Sequence, residues 1–125
     1  MNISDFEHLT GYFHHLVRFI MTHVLGQMTV GNEALHVLAD EDQRGGGLAV
    51  KLIDSEGAVQ ATLSVNTPKY CEQLEDQRHT FIVKGWGDNE PLVEAAMRSG
   101  YFIDTGCSVE MSSVCAPVWR LACAA

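Results

Sequence analysis

Residues 35–65, LHVLADEDQRGGGLAVKLIDSEGAVQATLSV, decide how this chain folds. Leu35, Val37 and Ala39 alternate with Ala34, His36 and Leu38, a period of two that belongs to a strand with one face fully buried. Leu48, Val50 and Leu52 then alternate with Ala49, Lys51 and Ile53. Val59, Ala61, Leu63 and Val65 follow, against Gln60, Thr62 and Ser64. The first two runs are joined by the polar, glycine-rich stretch 41–47. The second and third are joined by Asp54-Ser55-Glu56-Gly57, a tight hairpin in which Gly57 supplies the left-handed residue. Three strands joined in this way predict an antiparallel meander.

Upstream of the meander the period is 3.6. Ser4 and Glu7 form a capping box, and Phe6, Leu9, Phe13, Leu16, Val17, Ile20 and Val24 fall on one stripe roughly 100° wide. The spacing predicts a helix over residues 4–25, closed by Gly26. Downstream, Asn66-Thr67-Pro68 breaks the third strand, and 69–79 reads as a loop or a short helical turn. Residues 80–84 are a fourth strand. Gly85-Trp86-Gly87-Asp88-Asn89-Glu90-Pro91 leads into a second helix, with Asp88 or Asn89 as its cap and Pro91 in its first turn, ended by Gly100. Residues 101–104 and 114–122 are closing strands split by Thr105-Gly106, the last placed at an edge or bulge by Pro117. Segregated rather than alternating elements predict a single α+β domain over 1–125. In it the N-terminal amphipathic helix packs on a twisted antiparallel sheet, and a second short helix precedes the C-terminal strands.

Composition narrows the function. The chain has 125 residues, 46% of them hydrophobic, and eight Lys and Arg against 16 Asp and Glu give a net charge of -8. A field of that sign repels phosphate backbones and suits basic partners, although acidity also serves solubility alone. Cys71, Cys107, Cys115 and Cys123 form no C-x-x-C pair and fit no zinc spacing, so they read as reduced thiols of a cytosolic protein. No secretory signal is expected, and no apolar run reaches the roughly 18 residues of a spanning helix.

Motifs that carry chemistry are weak. His8, His15 and His23 share a helix sector, but the first two sit about two turns apart, too far for one metal. Gly45-Gly46-Gly47 precedes a strand and lacks the Lys and Ser/Thr of a phosphate loop. Cys71 and His79 form no recognisable dyad, because Glu72 beside the thiol raises its pKa. No catalytic residue, metal ligand or cofactor site is assigned. Three acidic groups remain as candidate partner-binding residues: Asp40, Glu41 and Asp42; Glu72, Glu75 and Asp76; Asp88, Glu90 and Glu94. Trp86, between two glycines, is either a plug folded onto the core or a binding anchor.

At Asn66-Thr67-Pro68, at Gly87-Asp88-Asn89-Glu90-Pro91-Leu92, at Ser99-Gly100 and at Asp104-Thr105-Gly106, the chain resembles small proteins carried by phages, plasmids and integrative elements. The likeness covers the C-terminal half and leaves the N-terminal helix outside it. Small acidic accessory proteins of such elements resemble the anti-CRISPR and antirestriction inhibitors, which occupy basic nucleic-acid grooves or subunit surfaces on host defence complexes. The resemblance implies no catalytic residue. It implies a viral, non-enzymatic inhibitor in the host cytoplasm that binds a basic protein surface, such as a CRISPR effector subunit, through its acidic loops. Neither nucleic acid nor membrane is bound directly. Two other readings stand beside it. One is a protein–protein interaction module, homodimeric through the His-bearing helix face or an edge strand. The other is a small ligand-binding protein or enzyme with a cavity between helix and sheet.

Overall fold

The meander forms, and a strand precedes it. In a computed structural model that describes residues 23–42 and 46–122, β1 (His23–Val30), β2 (Glu33–Glu41), β3 (Leu48–Ile53) and β4 (Val59–Thr62) pair antiparallel in chain order as one four-stranded sheet. Gly31 and Asn32 connect β1 to β2, with Val30 opposite Glu33. Gly31 has a φ of 63° and Asn32 a negative one, the type II′ combination whose twist suits a two-residue hairpin.

This strand corrects the N-terminal reading. A helix over 4–25 is excluded at its C-terminal end, because His23, Val24 and Leu25 begin β1 and Gly26 lies within it. Residues 4–22, with the stripe from Phe6 to Ile20 and with His8 and His15, lie outside the described residues. The 3.6 pattern was carried through Val24 into a segment whose backbone hydrogen bonds are taken by β2 across a tight turn. The α+β class is overturned with it. The described chain is mostly β, two antiparallel sheets with short helical connections.

Leu63 is the corner between the sheets. Its N–H donates to the Val50 carbonyl (2.8 Å) in the first sheet, and its own carbonyl accepts the Lys84 N–H (2.7 Å) just past a strand of the second. The predicted third strand is therefore divided: 59–62 belongs to the first sheet and β5 (Ser64–Val65) to the second. The second sheet has the order β5-β6-β8-β7, with β6 (Thr80–Val83), β7 (Phe102–Met111) and β8 (Val114–Leu121). Between these lie α1 (Pro68–Cys71), a 3₁₀ turn (Gly87–Asn89) and α2 (Glu90–Arg98).

Alternation along the second sheet buries both of its faces. Phe81, Val83, Phe102, Trp119 and Leu121 form one cluster with Leu35, Val37, Val50 and Leu52 of the first sheet and Ala95 and Ala96 of α2. Ile82, Val109, Ala116 and Val118 face the other way and pack with Cys71 and Leu74. Phe81 stands edge-on to both Phe102 (5.4 Å, 71°) and Trp119 (6.1 Å, 80°), the favoured aromatic arrangement.

β7 runs through Thr105-Gly106 instead of ending there. Asp104 opposes Trp119 and Ser108 opposes Pro117, so three residues bulge opposite Val118, held by the Thr105 hydroxyl donating to the Val118 carbonyl (2.7 Å). β8 is not the edge strand that Pro117 predicts, since it lies between β6 and β7, but Pro117 flanks the bulge. β6 reaches β8 only as far as Val118, so at Pro117 β8 has β7 as its one neighbour and no N–H is missed.

Candidate binding surface

Two of the three acidic groups sit on segments that are fastened together. Asn66 and Cys71 converge on one backbone carbonyl: Asn66 Nδ2 donates to the Gly46 oxygen (2.6 Å) and Cys71 Sγ donates to the same oxygen (3.1 Å). Asn66 Nδ2 also reaches the Leu48 carbonyl (3.1 Å), while Asn66 Oδ1 accepts the Ser64 hydroxyl (2.6 Å), which in turn accepts the Val50 N–H (3.0 Å). The Asp42 N–H donates to the Gly47 carbonyl (2.8 Å) and closes the β2–β3 connection. A glycine is required at 46, because a Cβ there would collide with the Asn66 carbonyl and the Asp42 carboxylate. This latch holds the end of β2, with Asp40, Glu41 and Asp42, against the stretch after α1 that carries Glu72, Glu75 and Asp76. Glu41, Glu72, Glu75 and Asp76 are exposed, and Asp40 and Asp42 are half-buried.

Asp76 is further organised. Its carboxylate meets His79 Nδ1 at 2.9 Å, its carbonyl accepts the Thr80 hydroxyl (2.5 Å), and the bond with His79 is the main cause holding its pKa below the ordinary carboxylate value.

The third group stands elsewhere. Asn89 is buried and donates through Nδ2 to the carbonyls of Thr62 and Lys84, both at 2.9 Å. It is the residue preceding α2, but its side chain makes no cap bond and instead ties the 3₁₀ turn to the ends of β4 and β6. Pro91 occupies the first turn of α2 as expected. Thr80, bonded to Asp76, starts β6 and Lys84 lies just beyond its end, so Asp88, Glu90 and Glu94 follow the opposite end of that strand from the latched pair. All three are exposed, and Glu94 Oε1 pairs with Arg98 at 2.6 Å. Trp86 is 39% exposed beside this third group and is not part of the core clusters.

The thiol and histidine candidates gain no catalytic geometry. Cys71 is buried, and its burial, followed by the nearby Asp42 carboxylate, pushes the thiol pKa up. Its single S–H lies within reach of two carbonyls, Gly46 and Val65, and the raised pKa disfavours the thiolate form. Among the described residues no group of three or more His, Cys, Asp and Glu is placed to hold a metal ion, and no helix is long and apolar enough to cross a membrane. Asn66 and Asn89, which position the acidic segments, were missed as site residues. Each stood at a turn, and nothing in sequence tells a solvated turn asparagine from one that staples two sheets.

The chain was compared with protein families, with curated proteins and with solved structures. None of them matches it.

Proposed function

We propose that the protein is a binding module that presents an acidic surface, made by residues 40–42 and 72–76, to a basic, nucleic-acid-binding surface of another protein, as an anti-CRISPR-like inhibitor of a host defence complex would. The observation that carries this reading is the latch at Gly46. It fastens together two acidic segments more than 25 residues apart in sequence on a protein of net charge -8. Like charges gathered on one side concentrate the field there, which speeds encounter with a basic partner and repels free nucleic acid. Trp86 with Asp88, Glu90 and Glu94 supplies a separate, secondary contact in this reading.

The test is competition. A host protein captured by the tagged chain should release its bound DNA or RNA as the chain is added, and the chain itself should bind neither. The combined change Glu41→Lys, Glu72→Lys and Glu75→Lys should slow association without unfolding the domain, since all three side chains are exposed. The wild-type on-rate should fall as salt rises past about 0.15 M, where the screening length is about 8 Å. An unchanged nucleic-acid affinity of the partner at saturating protein would overturn groove blocking.

A further inference from the structure

We draw no further inference here: the strongest candidate, the face of the first sheet turned away from the core, where Val24, Leu38, Ile53 and Val59 lie, carries nothing because nothing among the described residues shows what covers it.

Discussion

At Trp119 the indole Nε1 is buried and finds no acceptor among the described residues. A buried donor left unpaired costs about 1–3 kcal/mol, so the ring must be retained for its packing against Phe81 and Phe102. Phe81→Ala, at a side chain 1% exposed, is therefore expected to cost about 3–5 kcal/mol in urea denaturation. Trp119→Phe should cost much less, because it deletes the orphaned N–H along with part of the ring. Asp54 is the opposite case, a turn carboxylate with every bond it needs. The Ala58 N–H above all, then Gln60 and the Glu56 N–H, hold its pKa below the ordinary 3.8. A depressed folded-state pKa contributes stability above the unfolded value and loses it as pH falls through the folded one. The advantage of the wild type over Asp54→Ala in urea midpoint should accordingly be full at pH 7 and narrow below about pH 3.8.

Among the elements, the two asparagine staples carry the positioning. Asn89→Ala removes two bonds to carbonyls of different sheets, and a loss of about 2–3 kcal/mol is expected, read as a lower denaturation midpoint with an unchanged slope. Gly46→Ala should cost about 1–3 kcal/mol by forcing the β2–β3 connection off Asn66, and it should also raise the reactivity of Cys71. In the wild type, Cys107 and Cys115 are exposed and should react with a thiol reagent at once, Cys71 only on unfolding, as peptide mapping would resolve. The meander was legible because residues 35–65 alternate cleanly and Gly57 marks its turn, where it takes a φ of 87°. β1 was not. Leu9 to Val24 continue one helical stripe, and the competing signal, Val30-Gly31-Asn32-Glu33, is a single two-residue turn. The division at Leu63 was invisible for a related reason, since a strand that changes sheets keeps its alternation across the corner. The acidic residues could be named from sequence, but their grouping needed the Gly46 latch, a contact between residues 20 and 25 positions apart.

On the scale of the whole molecule, the two sheets are assembled differently from the same chain. The first is sequential, β1-β2-β3-β4, and each of its pairings spans a short connection. The second, β5-β6-β8-β7, begins with a two-residue strand and places β8 between β6 and β7, with α2 inserted on the way. Loop-closure entropy makes the sequential pairings quick and the distant ones slow. The first sheet can therefore zip as soon as Thr62 has been synthesised, whereas Ser64 and Val65 wait for β6, and β6 for β8. In pulse-labelled hydrogen exchange during refolding, the β2–β3 amides should gain protection before those of β6 and β8. Simultaneous protection would mean that collapse around Phe81 and Trp119 sets the pace instead. Leu63 gives this order its direction. It is the hinge at which an already paired half hands its register to the half still being made, so a nascent chain stalled before Trp119 presents a finished sheet with the inner face of its core uncovered.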